Sequence, residues 1–223
     1  MIQALIFDFD GLILDTETSE YQSWQEVYSA YGCQLPLERW VTAVGGSLAH
    51  YFDPYAFLAE LSGQPIDADA IRPVRRQRHL DLIAAQPVLP GVLDYISAAR
   101  EMGIKVGLAS SSSYDWVGGH LARLGMLDLF ETIKTSDDVE KVKPDPALYV
   151  AAAAALGVDP RHALALEDSG HGLNAAKRAG MYCVVVPNSV TTHLAFNGAD
   201  RRLDSLADVP LRELLQSMRN NNR

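Results

Sequence analysis

The chain has little cysteine: Cys33 and Cys183 are its only two, far apart and outside any metal-ligand spacing. They read as buried reduced thiols, the usual state in a reducing cytosol. No apolar run approaches the ~18 residues of a membrane span. Residues 149–156 come nearest and are mostly alanine. No basic stretch precedes the first apolar segment, and Asp8 interrupts it, so no secretory signal is expected. Neither His-x-His nor His-Glu-x-x-His occurs among the six histidines, which argues against zinc. Positive charge is in deficit, with 19 Lys and Arg against 28 Asp and Glu and a net charge of −9. That balance disfavours nucleic acid or an anionic membrane as partner. No internal repeat is visible, and low complexity is confined to residues 151–155. What remains is a cytoplasmic globular protein. Its 223 residues, 48% hydrophobic, suffice for a core without staples and are compatible with a monomer.

Five short runs rich in strand formers punctuate the chain: 4–9 (ALIFDF), 105–109 (KVGLA), 131–135 (ETIKT), 163–166 (ALAL) and 182–186 (YCVVV). Helical patterns separate them. Residues 91–102 stop at Gly103, and 114–124 are weakened by Gly118-Gly119. Asp145-Pro146 opens an alanine-rich helix ending at Gly157, and residues 169–179 close on Gly180. Strands alternating with helices predict an α/β fold: a parallel, Rossmann-like sheet with helices on both faces. Residues 16–87 break the alternation and read as helices only, at 19–31, 37–44, 54–61 and 67–85. An all-α helical cap is therefore expected as an insert after the first strand. The expected division is a core of 1–15 and 88–223 and a cap of 16–87. Residues 219–223 (RNNNR) read as a frayed tail.

Ligands of open parallel sheets bind beyond the carboxyl ends of the strands. Asp8 and Asp10 follow the first strand, Ser110 the second, and Glu167 and Asp168 the fourth, while Lys143 precedes the Asp-Pro helix start. One face thus collects four carboxylates, a hydroxyl and an ammonium. Clustered carboxylates raise one another's pKa values unless a cation joins them. Oxygen-only ligands suit a hard ion, Mg²⁺ before Ca²⁺. A metal beside a lysine and a hydroxyl clamps a phosphoryl group, and a carboxylate can attack phosphorus. In an extended strand residues i and i+2 point the same way, so strand geometry kept as far as Asp10 would bring both aspartates to one centre. One would then attack while the other donates a proton to the leaving oxygen and later activates water.

The segments FDFDGLILDTE, LASSS, KVKPDP and LEDSGHGLNAAKRAGM, in this order, resemble the four motifs of the haloacid-dehalogenase-type phosphatase superfamily. The likeness covers nearly the whole chain and is strongest to the β-phosphoglucomutase-like branch with a helical cap. It implies Asp8 as nucleophile and Asp10 as general acid/base. It further implies Ser110 on the phosphoryl oxygens and Lys143 neutralising their charge. Mg²⁺ would sit on Asp8, the backbone carbonyl of Asp10 and Asp168, with Glu167 ligating directly or through water. True dehalogenases of the superfamily need no Mg²⁺ and lack the second aspartate of the first motif; this chain has Asp10. Mutases of the branch carry a histidine where Glu20 stands and an arginine aligning near residues 47–50, and neither is present. The expectation is a Mg²⁺-dependent phosphatase acting on a small phosphorylated metabolite, with a sugar phosphate leading and a phosphomutase as the alternative.

Plainer roles exist for single residues. Asp168 and Ser110 each stand where a helix cap would. Arg72, Arg75, Arg76 and Arg78 read first as a solvated helix face. The functional alternative has one or two of them reaching a second anionic group of the substrate. Gly45-Gly46-Ser47 reads equally as a loop facing the site or a helix–helix turn. Trp24 and Trp40 read as cap core, and His50 and His171 as structural. The expected hinges are Asp15-Thr16 and Pro87.

Overall fold

The computed structural model describes residues 1–42, 44–45 and 52–220, without the side chains of 219 and 220. Gly46, Ser47, His50 and residues 221–223 of the expectations above lie outside the described residues. Six strands form one sheet: β1 (Ala4–Phe7), β2 (Lys105–Ala109), β3 (Thr132–Lys134), β4 (Ala163–Glu167), β5 (Tyr182–Val185) and β6 (Arg201–Arg202). Their order is β3-β2-β1-β4-β5-β6, and every pairing is parallel. The chain fills one side of β1 with β2 and β3, then crosses to the other side for β4 to β6. The order therefore reverses between β1 and β4, where α/β sheets open a crevice.

Both faces of the sheet are buried, and they differ in residue size. Leu5, Phe7, Val106, Leu108, Leu164 and Leu166 point to one face. There they meet α5 (Val92–Glu101), α6 (Tyr114–Arg123) and α9 (Leu211–Asn220). Ala4, Ile6, Ala109, Ala163 and Ala165 point to the other. There α7 (Ala147–Leu156) and α8 (Gly170–Arg178) approach closely. The alternation follows from the two-residue period of a strand, and the small side chains let the alanine-rich α7 lie close. A Cβ on Gly107 would already stand 3.1 Å from Leu156.

Helices α1 (Thr16–Ala30), α2 (Leu37–Trp40), α3 (Pro54–Ser62) and α4 (Ala68–Ala84) carry a third cluster around Trp24, Tyr28, Trp40 and Leu58. Val190, from the loop after β5, joins it. Trp24 and Trp40 are thus core residues, as expected. The α1–α4 group also meets the sheet layers through Thr18 Oγ1 and Ser189 Oγ at 2.7 Å, and Ser111 Oγ donates to the Gly45 carbonyl at 3.3 Å.

Several boundaries differ from expectation. β1 ends at Phe7, so strand geometry does not persist to Asp10. Instead Gly11, at φ +80°, turns the chain, and Asp10 makes an isolated bridge with Leu14. Helix α1 starts at Thr16 rather than 19, because the Asp15 carboxylate accepts from Thr18 N at 3.1 Å. Helix α2 stops at Trp40. Pro146 is the N-cap of α7, while the Asp145 carboxylate accepts from Ala147 N at 3.0 Å. Ser169, not Asp168, caps α8. The tail reading fails for Arg219 and Asn220, which continue α9. Strand β6 and α9 were unexpected, although Leu211, Leu214, Leu215 and Met218 have helical spacing and are buried.

His79 lies buried on α4, with Nε2 3.2 Å from the Thr16 carbonyl. Burial, with Arg75 adding to it, lowers its pKa to about 4 against the Thr16 hydrogen bond. Between about pH 4 and 6.5 the unfolded chain binds the extra proton, so this group's stability is complete above that window and is lost as pH falls through it. The unfolding free energies from urea titrations at pH 7 and pH 5 should therefore differ by about 2 kcal/mol more in the native protein than in His79→Gln. An unchanged difference would contradict this.

Candidate active site

The carboxyl ends of β1, β2 and β4 deliver Asp8, Ser110 and the pair Glu167-Asp168. Lys143 enters from the loop between β3 and α7. All five are buried. Lys143 Nζ stands 2.5 Å from Asp8 Oδ1 and 2.6 Å from Glu167 Oε1. Ligand oxygens of Asp8, Glu167 and Asp168 lie within 4.8 Å of one another. The Asp10 side chain has partners of its own outside this cluster. Its Oδ1 accepts from Thr16 Oγ1 and Trp116 Nε1, both at 2.8 Å. Its Oδ2 faces Ser112 Oγ at 2.6 Å and Ser110 Oγ at 3.3 Å. The structure thus brings Asp8, Asp10 and Ser110 onto one cavity of about 250 Å³, with Lys143, Glu167 and Asp168 joined to it through Asp8.

Glu167 has no spare capacity. Oε1 takes Lys143 and the Tyr149 hydroxyl, the latter at 2.6 Å, while Oε2 takes Asp168 N, Ser169 N and Ser169 Oγ. Asp168 is the opposite case. Asn188 Nδ2 donates to its Oδ2 at 2.7 Å, but Oδ1 is buried with no partner. A buried carboxylate oxygen without a donor is costly. Asp168 belongs to a group whose candidate metal ligands are carboxylate oxygens only, which suits a hard divalent cation. The residues present therefore fit a metal. Two glycines make room for the cluster. A Cβ on Gly11 would stand 2.2 Å from Asp168 Oδ2, and one on Gly172 would stand 1.9 Å from the Glu167 carboxylate.

The protein's own charges are unbalanced here. Burial, joined by repulsion from Glu167 and Asp10, pushes the Asp8 carboxyl up to about 8 against the pull of Lys143. Burial first, then repulsion from Asp8, Glu167 and Glu17, push Asp168 well above the carboxylate range. Burial opposes the Lys143 charge, but Asp8 and Glu167 outweigh it and hold the ammonium protonated. Two anionic groups thus lack compensation unless a cation arrives.

The rest of the cavity wall comes from the helices after β1. Glu17, Glu20, Arg75 and Arg76 line it, together with Trp40 and Gly45. Burial first, then Glu20 and Asp10, raise the Glu17 carboxyl well above its ordinary range. Arg75 Nη1 pairs with Glu20 at 3.3 Å, stacks over Trp24 and leaves Nε buried without a partner. The arginine run therefore divides. Arg72 and Arg78 pair with Asp69 and Glu26 on the solvated side, whereas Arg75 and Arg76 face the cavity. His171 Nε2 lies 3.2 Å from the Thr42 carbonyl, between α8 and the α2 turn.

Sequence reasoning missed Glu17, Trp116, Tyr149 and Asn188. Asn188 had a signal, since it follows the fifth strand as the other site residues follow theirs. Trp116 and Tyr149 sit inside helices, where nothing in the local pattern separates them from core residues.

The profile of the haloacid dehalogenase-like hydrolases matches residues 5–186. The chain belongs to that family. The match includes the ends of β1, β2 and β4 and Lys143, so the family's characteristic segment is the one that builds the cluster. YhcW of Bacillus subtilis is 49% identical over the whole of both chains. Hexitol phosphatase B of Escherichia coli is 29% identical over 96% of this chain and 97% of its own. A crystal structure of CbbY from Rhodobacter sphaeroides, in complex with xylulose-1,5-bisphosphate, superposes with a TM-score of 0.71. It is 33% identical, covering 96% of this chain and 99% of that one. The expected family, its hydrolase class and the α/β fold are thereby established. Among the described residues no helix is long and apolar enough to cross a membrane.

Space around Glu167 sets a test of this packing. Gly172→Ala forces a methyl group into the Glu167 carboxylate and should destabilise the protein by about 1–3 kcal/mol. Gly119→Ala, on α6 with nothing within 4 Å of its Cβ, should stabilise by up to about 1 kcal/mol. Urea denaturation of both variants checks the pair, and equal effects would refute the close approach.

Proposed function

We propose that the protein is a Mg²⁺-dependent phosphatase that hydrolyses a small phosphorylated metabolite, a sugar phosphate first among them, through an aspartyl-phosphate on Asp8. The observation that carries this reading is the buried junction of Asp8 with Lys143 and with Asp168, one of whose oxygens is buried without a partner. Asp8, the backbone carbonyl of Asp10 and Asp168 would hold the metal, with Glu167 acting through water because its own oxygens are taken. A bound Mg²⁺ supplies charge neutralisation and polarisation of the phosphoryl oxygens.

The chain's own groups then divide the work. Ser110 and Lys143 orient the phosphoryl group and offset its charge. An Asp8 oxygen bonds to phosphorus, the ester P–O bond breaks, and Asp10 gives its proton to the departing oxygen. Asp10 next removes a proton from water as that water attacks phosphorus, which releases inorganic phosphate and frees Asp8. Residues 1–15 and 88–223 form the catalytic core in this reading, and 16–87 form a cap hinged near Asp15-Thr16 and Pro87 that keeps bulk water out. The wall of Glu17, Glu20, Arg75 and Arg76 supports a substrate rich in hydroxyls, since these groups offer acceptors and donors together. An acidic Glu20 paired to Arg75, where mutases carry a histidine, supports hydrolysis over the mutase alternative. The net charge of −9 supports a cytoplasmic enzyme that acts on neither nucleic acid nor an anionic membrane.

The test is phosphate release from a panel of sugar phosphates with MgCl₂, after EDTA, and with Asp8→Asn. Release should need Mg²⁺, stop with EDTA, return on readdition and fall by about a thousandfold or more in the variant. An isomerised sugar phosphate with no phosphate released would overturn the hydrolase reading.

A further inference from the structure

Asp10 is held at both oxygens, and the two sets of partners differ in kind. Oδ1 accepts from the Trp116 indole N–H and from Thr16 Oγ1, each at 2.8 Å. Oδ2 meets only hydroxyls, Ser112 Oγ at 2.6 Å and Ser110 Oγ at 3.3 Å. A hydroxyl donates or accepts as its rotor turns, whereas an indole N–H only donates. A proton on Oδ1 would face that N–H head-on. The proton of a neutral Asp10 therefore belongs on Oδ2, the oxygen beside Ser110.

We infer that Trp116 is a positioning residue, whose indole N–H fixes the Asp10 carboxyl so that Oδ2 presents the proton to the ester oxygen of the substrate. This rests on the acid/base reading of Asp10 given above. The indole is wedged in place. His120, one turn further along α6, meets it edge-on at 4.5 Å, and His79 from α4 lies against it at 5.5 Å. Both imidazoles are held towards the neutral form by burial, so neither sets a cation beside the donating N–H. His79 comes from α4 and Trp116 from α6, so the ring contact joins the two helical layers beside Asp10.

The chemistry gives the role a signature of its own. As an Asp8 oxygen bonds to phosphorus, the ester electron pair goes to the leaving oxygen and the Oδ2 proton follows it. A basic leaving oxygen needs that proton more than a weakly basic one. The experiment compares phenyl phosphate with p-nitrophenyl phosphate in excess MgCl₂, for the native enzyme, Trp116→Phe and Asp10→Asn. It reads kcat/KM, or single-turnover release of the phenol where turnover stalls. Trp116→Phe should lose about tenfold more on phenyl phosphate than on the nitrophenyl ester, and Asp10→Asn should lose in the same sense and more steeply. Equal losses on the two esters in Trp116→Phe, beside a selective loss in Asp10→Asn, overturn the inference alone. A non-selective Asp10→Asn overturns the acid/base reading beneath it. Should Trp116→Phe not fold, 3-benzothienylalanine placed at position 116 keeps the bicyclic shape and lacks only the N–H. It should give the same selective loss, and an unchanged ratio between the esters overturns the role.

Discussion

Three carboxylates share one buried volume with a single ammonium, and the rest of the molecule is arranged around that imbalance. Asp8, Glu167 and Asp168 place their ligand oxygens within 4.8 Å, and Lys143 touches the first two. Ions buried this way cost several kcal/mol each unless paired and hydrogen-bonded. Glu167 meets that condition through five donors, from Lys143, Tyr149, the Asp168 and Ser169 amides and the Ser169 hydroxyl. Asp168 does not, because one of its oxygens has no donor. Asp168 is the incomplete member of this network, and the cation proposed above would complete it.

The sheet explains how so dense a cluster can be built. β1 and β4 are neighbours at the point where strand order reverses, so their carboxyl ends open side by side. Gly11 and Gly172 lie where any side chain would collide with Asp168 or Glu167. Beside the crevice, α1 and α4 add Glu17, Glu20, Arg75 and Arg76 to the cavity wall, while α1–α4 keep a separate aromatic core. The two layers meet at Asp10, whose Oδ1 accepts from Thr16 on α1 and from Trp116 on α6.

Much of this was legible in the sequence because its signals are local. Alternating strands and helices, an Asp or Glu at each relevant strand end, and a helix-only stretch between residues 16 and 87 give the fold class and the positions of Asp8, Ser110, Lys143, Glu167 and Asp168. What escaped depends on long-range contact. Trp116 and Tyr149 look like core aromatics until the fold sets them against carboxylates more than a helix away. The mixed fate of the arginine run is set by contacts in the fold: Arg75 and Arg76 reach the cavity wall while Arg72 and Arg78 pair with Asp69 and Glu26, which spacing on an isolated helix leaves open. The expected strand over 4–9 stops at Phe7, and the condition that strand geometry reach Asp10 is not met because Gly11 turns the chain, so a turn rather than a pleat sets the second aspartate.

Mg²⁺ bound by the folded protein alone must raise its stability in proportion to the logarithm of free ion above the dissociation constant. The most direct measurement is therefore the thermal midpoint across a MgCl₂ series, against NaCl at matched ionic strength, in the native protein and in Asp168→Asn. The account predicts a midpoint that climbs with Mg²⁺ in the native protein and stays flat in the variant. A native midpoint indifferent to Mg²⁺, or an equal climb in both proteins, would contradict it.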